Sequence, residues 1–171
     1  MTIAMRKTLL CAVVLAASVG ALPFAALAQN QMQNSMSEHM AVQPNALKWG
    51  PAPPGLPPGA QVAVVSGDPS KAELFVVRAK LPAGYKVMPH THPTDENVTV
   101  LSGTAHIAMG DKFDAKKGDT VAAGGFFNAK QGMQHYFWTT SPTVIQIHGM
   151  GPFEIKYVNP NDDPRNANAK K

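Results

Sequence analysis

Residues 84–103 read GYKVMPHTHPTDENVTVLSG, and this stretch decides the fold. It sets His90 and His92 two positions apart, so on an extended strand both imidazoles point to one face. Pro93, Thr94 and Asp95 form a turn in which the proline disfavours continued strand pairing. Glu96 then opens a second strand, ENVTVL, expected to run back alongside the first and return a carboxylate to the two histidines. Alternation puts Glu96, Val98 and Val100 on one side of that strand and Asn97, Thr99 and Leu101 on the other. A carboxylate that shares an apolar face with two valines is costly to bury alone, and a divalent cation is the usual remedy. Two neutral imidazoles and one carboxylate suit Fe(II), Mn(II), Ni(II) or Zn(II). A further ligand is therefore expected downstream. The bland alternative is a pair of solvated histidines on a surface strand.

The pattern G-x5-H-x-H-x3-E-x6-G is filled by Gly84, His90, His92, Glu96 and Gly103, and in this the chain resembles the first conserved motif of the cupin superfamily. The second cupin motif, G-x5-P-x-G-x2-H-x3-N, can be laid on Gly124, Gly132 and His135 with every spacing kept. Lys130 stands where proline is usual and Thr139 where asparagine is usual, departures that bear on the loop's rigidity more than on the site. The resemblance covers about residues 60 to 158. It implies an all-β fold, the RmlC-like jelly-roll barrel or double-stranded β-helix, with His90, His92, Glu96 and His135 on one divalent metal ion.

The residues around the motif agree with a β fold on their own terms. Short strands are expected at Gln61 to Val65, Leu74 to Ala79, Lys86 to His92, Glu96 to Leu101, Thr104 to Met109, Asp119 to Ala122, Gln134 to Thr139, Thr143 to His148 and Phe153 to Val158. Turn signals such as Gly67-Asp68-Pro69, Pro82-Ala83-Gly84, Lys117-Gly118-Asp119 and Ser141-Pro142 separate them. Many short strands with almost no helical period point to a closed or sandwiched antiparallel architecture. No internal repeat is visible, so one barrel is expected.

Residues 1–28 read as a secretory signal peptide, with Arg6 and Lys7 ahead of an apolar run and Ala26-Leu27-Ala28 before Gln29. The run is short for a membrane span of ~20 residues and ends at Pro23, so no stable membrane insertion is expected after cleavage. The expected location is periplasmic or secreted. Removing 28 of 171 residues leaves 143, enough for one domain with its own core. It also removes Cys11, the only cysteine, which excludes disulfides and thiolate-rich zinc sites. The formal charge of +4 includes Arg6 and Lys7, and the remaining charges are scattered, so nothing argues for a nucleic-acid partner.

Residues 29–59 divide into a flexible polar arm and a Pro-rich segment. In the arm Met32, Met36 and Met40 fall four apart beside His39, which could suit Cu(I) but reads more simply as a tether. The stretch KWGPAPPGLPPGA holds six prolines and glycines between Pro53 and Gly59, which forbid helix and central strand alike. It is expected along the barrel's outside, with Trp49 as a plug. Residues 159–171 are expected to be a loose tail.

In QHYFWTT, alternation groups His135, Phe137 and Thr139 on one face and Tyr136 and Trp138 on the other. Phe137 is then expected in the pocket and Trp138 outward or at a subunit interface, which leaves room for a homodimer. Met88 shares a face with His90 and is also assigned to the pocket. On the next strand Gln146 and His148 form a polar face opposite Ile145 and Ile147; they are assigned to the pocket as substrate-contacting groups, with solvent as the alternative. Lys130 is expected to reach solvent, and His106 to be a satisfied or exposed histidine.

Four protein ligands leave up to two positions open on a six-coordinate ion, the mark of a catalytic rather than a structural site. The sequence thus suggests a metal-dependent enzyme of dioxygenase, isomerase or lyase type acting on a small organic molecule. The alternative is a non-catalytic module that binds or senses a metal or small ligand, since no dedicated general base is evident beyond the metal shell.

Overall fold

The structure, a computed structural model, describes residues 40–166. The chain divides into two units, 1–41 and 42–171, and of the first only Met40 and Ala41 are described. The expected signal segment 1–28 and the arm bearing Met32, Met36 and His39 lie outside the described residues.

Among the described residues eleven strands follow in order: β1 (Gly50–Pro51), β2 (Gln61–Ser66), β3 (Leu74–Leu81), β4 (Lys86–Thr91), β5 (Glu96–Ser102), β6 (Thr104–Met109), β7 (Asp119–Ala122), β8 (Phe126–Ala129), β9 (His135–Thr139), β10 (Thr143–Met150) and β11 (Lys156–Tyr157). They form two antiparallel sheets, one ordered β1-β2-β3-β10-β5-β8 and the other β11-β4-β9-β6-β7. From β3 onward the chain changes sheet at nearly every turn, which is the winding of a jelly-roll barrel. The strands form because their inward positions are apolar. In β3, Phe75, Val77, Ala79 and Leu81 are buried while the intervening residues are not. One buried cluster takes Ala79, Leu81, Val98, Val100 and Ile145 from the first sheet and Val87, Ala105, Ile107 and Phe137 from the second, so the inner faces share one core.

The stretch 84–103 crosses this core rather than folding back on itself. Its first strand, β4, pairs with β9 and β11, whereas its second, β5, pairs with β10 and β8. The expected side-by-side pairing of the two is therefore replaced by a facing arrangement, and Glu96 meets the histidines across the interior. Alternation fixes which way side chains point but leaves open which strand is the neighbour. At the far end of β5, Gly103 carries the chain from one sheet to the other with φ +78, and a Cβ there would overlap Pro142 O and Thr143.

Further expectations are refined or corrected. The segment GGFFNAKQG, which lies outside the expected strands, contains β8, an edge strand that pairs only with β5 and leaves Phe126 55% exposed, so its apolar pattern is weak. In keeping with the exclusion of a central strand, the Pro-rich segment contributes only β1, a two-residue edge pairing with β2, where a proline's missing amide is harmless. Residues 159–166 are not loose: Asn159 caps a 3-10 turn at Pro160–Asp162, and Arg165 donates to Ile155 O (3.0 Å) and to Asp163 Oδ2 (2.7 Å). Trp49 does not plug the barrel; Lys80 Nζ sits 4.0 Å above its ring. Trp138 faces away from the barrel interior, as expected, but is not bare on the surface. It is buried under Phe113 and stacks on His106 (4.9 Å, 12°), whose ring nitrogens lie within 3.3 Å of the Thr120 and Thr140 hydroxyls. No helix among the described residues is long and apolar enough to cross a membrane.

Candidate metal centre

Strand register places the histidines. His90 on β4 stands opposite His135 on β9, and Val87 stands opposite Phe137, so three residues of β4 span two of β9. The extra residue is a bulge, and it shifts the alternation of β4 by one position. Val87 and His90 therefore both face the interior, and Met88 does not line the cavity. This corrects the pocket assignment of Met88, whose carbonyl instead accepts from His90 Nδ1 at 2.8 Å.

His90, His92, Glu96 and His135 are all buried. The rings of His90 and His135 lie 4.2 Å apart, those of His90 and His92 4.9 Å, and those of His92 and His135 5.3 Å. One ring nitrogen from each histidine lies within 4.8 Å of the other two, a group that can hold a metal ion. Glu96 Oε2 sits 3.3 Å from His135 Nε2 and 3.6 Å from His92 Nε2.

The backbone decides which nitrogen faces this centre. Nδ1 of His90 lies 2.8 Å from Met88 O, that of His92 2.6 Å from Glu154 O, and that of His135 3.0 Å from Met133 O. A carbonyl can only accept, so each Nδ1 carries the proton and each Nε2 offers a lone pair. Nε2 of His92 and of His135 are buried without a hydrogen-bond partner. Buried polar atoms in proteins are nearly always satisfied, and lone pairs aimed at one another and at a carboxylate repel unless a cation stands among them. The donor set, three imidazoles and one carboxylate, fits a divalent first-row ion. Nδ1–H bonds to carbonyls are also the usual outer support of ligating histidines.

The titration of the metal-free cage is divided among its members. Burial drives His90 down to about 3, helped by His135 and His92, and burial also lowers His92. For Glu96 burial acts upward, but contact with His135 and the neighbouring imidazoles outweighs it and the carboxyl is lowered. His135 is opposed by burial, yet the Glu96 carboxylate holds it above the usual histidine value. Without a metal, His135 and Glu96 are the pair between which the cage holds a proton most readily.

The cage opens into a cavity of about 120 Å³. Register layers it: next to the His90, His135 and Glu96 level come Val87, Phe137 and Ile107 from one sheet and Val98, Phe127 and Ile147 from the other. Beyond the four cage residues, the rest of the lining is almost wholly aliphatic and aromatic. Phe153 lines it too and stacks on His92 at 4.4 Å and 16°.

A family model described as "Domain of unknown function (DUF4437)" matches residues 21–156. The chain belongs to the DUF4437 family. No curated protein matches this DUF4437 chain. Among solved structures it is similar to the polyketide cyclase RemF of Streptomyces resistomycificus (TM-score 0.60, 17% identity, 77% of this chain and 93% of the other). It is also similar to a putative acetylacetone dioxygenase of Methylibium petroleiphilum (TM-score 0.58, 19% identity, 74% and 85%). A third similar structure is an RmlC-like cupin of Shewanella frigidimarina (TM-score 0.52, 16% identity, 67% and 93%). This DUF4437 protein thus has the RmlC-like jelly-roll fold expected from its two motifs.

Of the residues assigned to the pocket from sequence, Phe137 lines it. Gln146 and His148 do not. β10 turns Ile145 and Ile147 inward and its polar face outward, where Gln146 Oε1 accepts from Arg78 Nε at 3.0 Å and His148 borders a surface groove with Asp95 and Asn97. The apolar face wins because it packs between Ala79 and Val100 in mid-sheet. The two departures from the second motif each have a local partner. Lys130 Nζ pairs with Asp95 Oδ2 at 2.8 Å, Gln131 N donates to Asp95 Oδ1 at 2.8 Å and Gly132 N to His92 O at 2.9 Å, so the loop is tied to the turn between the metal-facing strands. Thr139 is buried and donates to Pro82 O at 2.7 Å. Sequence reasoning missed Leu56, Tyr85, Phe127 and Phe153 around the cavity; Phe127 follows once β8 is read as a strand, whereas Leu56 sits in a segment with no periodicity.

Proposed function

We propose that this protein is an exported metal-dependent enzyme. His90, His92, Glu96 and His135 hold one divalent ion, and the cavity takes a small, mostly apolar organic molecule with an oxygen-bearing end. The convergence of three Nε2 lone pairs and a carboxylate at one end of an apolar cavity carries this reading. Bound there, the metal supplies Lewis acidity or oxygen activation. The chain's own residues position the guest: the aliphatic and aromatic walls fix its body and exclude water, and the cage directs its polar end. A cavity of about 120 Å³ compares with the ~150 Å³ apolar cavity that accepts benzene, which bounds the guest to roughly that size. Export rests on Arg6, Lys7 and the apolar run before Gln29. The reaction is of dioxygenase, isomerase or lyase type, and shared fold with a cyclase and a putative dioxygenase does not choose among them.

The second reading, a module that binds without turnover, is favoured by one observation. Beyond the cage, the buried lining offers no free proton carrier: the Tyr85 hydroxyl donates to Pro57 O at 2.8 Å and burial raises its pKa, and the other titratable lining residue, Glu154, is exposed to solvent. Fe(II)- or Mn(II)-loaded mature protein, tested against small diketones and cyclic ketones with an oxygen electrode and product analysis, separates the two. Consumption that disappears in Glu96→Gln supports the enzyme. Full metal occupancy with no turnover of any compound rejects it in favour of the module.

A further inference from the structure

Leu56 is the residue of the Pro-rich segment that lines the cavity, and of all the cavity's lining residues it alone also lines the groove outside, formed by Pro51, Pro54, Pro58, Pro164 and Arg165 among others. It arrives on a turn closed by Leu56 N donating to Pro53 O at 2.9 Å. The carbonyls on either side of it are both taken by buried tyrosines: the Tyr157 hydroxyl donates to Gly55 O at 2.9 Å and that of Tyr85 to Pro57 O at 2.8 Å. Gly55 lets the turn lie down on the barrel, since a Cβ there would come within 2.8 Å of Ile155 Cγ2. Two hydroxyls and a close backbone approach are a large investment for a surface loop whose side chains are mostly exposed prolines. What they fix in place is the Leu56 side chain between the cavity and the open groove.

We propose that Leu56 is the partition between the cavity and the groove and that it sets the length of the guest. The inference rests on the metal reading above for the guest's polar end: an oxygen-donor head at the cage and a short unbranched apolar tail that stops against Leu56. The walls give such a tail no polar partner, so a charged or hydrogen-bonding tail is excluded by the cost of burying it.

The test uses n-alkyl hydroxamic acids of increasing length with Zn(II)-loaded mature protein, titrated by calorimetry, with metal content and melting temperature recorded for each variant. In the wild type each added methylene tightens binding about fourfold until the tail fills the cavity, after which affinity falls. Leu56→Ala moves that break at least two methylenes longer, and Leu56→Phe moves it shorter. The same break in all three folded, zinc-loaded proteins, or no break in the wild type, overturns the partition. If the wild type holds no zinc, the metal reading itself fails; the partition is then decided on metal-free protein with primary n-alcohols, read as the chain length beyond which the melting temperature no longer rises. A break length there that is unmoved by Leu56→Ala overturns it independently.

Discussion

Truncating two consecutive residues of β10, Ile145→Ala and Gln146→Ala, reports directly on which face of that strand lies inside. Ile145 is 5% exposed, sits between Ala79 and Val100 and lines the cavity. Losing three carbons at about 0.8 kcal/mol each removes about 2.4 kcal/mol of transfer energy. Neighbours that already border an open space of about 120 Å³ have little reason to close over the new gap, and the cavity contribution brings the loss to about 3–4 kcal/mol. At about 2–4 °C per kcal/mol for a domain of this size, the melting temperature falls by roughly 6–16 °C. Gln146 bonds on the outer face to Arg78, and its truncation removes at most about 1 kcal/mol. Urea denaturation of metal-free protein, fitted with a common slope, measures both. Equal losses, or a larger loss for Gln146→Ala, would refute the inward facing of the isoleucines.

The motif glycines are needed for different reasons, and alanine separates them. Gly103→Ala meets Pro142 O and Thr143 at φ +78 and is expected to lower stability by about 3 kcal/mol or more, while Gly84→Ala, at φ +75 in open space, loses only about 1 kcal/mol by thermal melting. Tyr157→Phe leaves Gly55 O without its donor and is expected to lower stability by about 1 kcal/mol in urea, with metal content unchanged. Metal affinity should fall with acid. His135 is raised above the usual histidine value in the metal-free cage, so below that value its proton must leave as the ion enters, and affinity drops about tenfold per pH unit; a flat profile in competition titrations from pH 7 to 5 contradicts the shared proton.

Most strands were legible because their inward positions alternate without interruption, as in β3 and β5. The four cage residues were legible because fixed spacing survives any error in strand pairing. Three things were not. Met88 was assigned inward because the β4 bulge that hands its place to Val87 leaves no mark in composition. Gln146 and His148 were assigned inward because alternation on β10 separates two faces without saying which is buried; mid-sheet position settles it. The carbonyls of Met88, Met133 and Glu154, which choose the tautomer of each histidine, are backbone groups and have no side-chain signature.

Elemental analysis of untagged protein, expressed from the full sequence and dialysed without chelator, bears most directly on the cage. Close to one divalent first-row ion per chain is the expected result, with the ion lost from His135→Ala and from Glu96→Gln while both variants stay folded by circular dichroism. A wild-type chain that stays empty after loading, or an ion retained undiminished by both variants, would mean that His90, His92, Glu96 and His135 do not hold a metal.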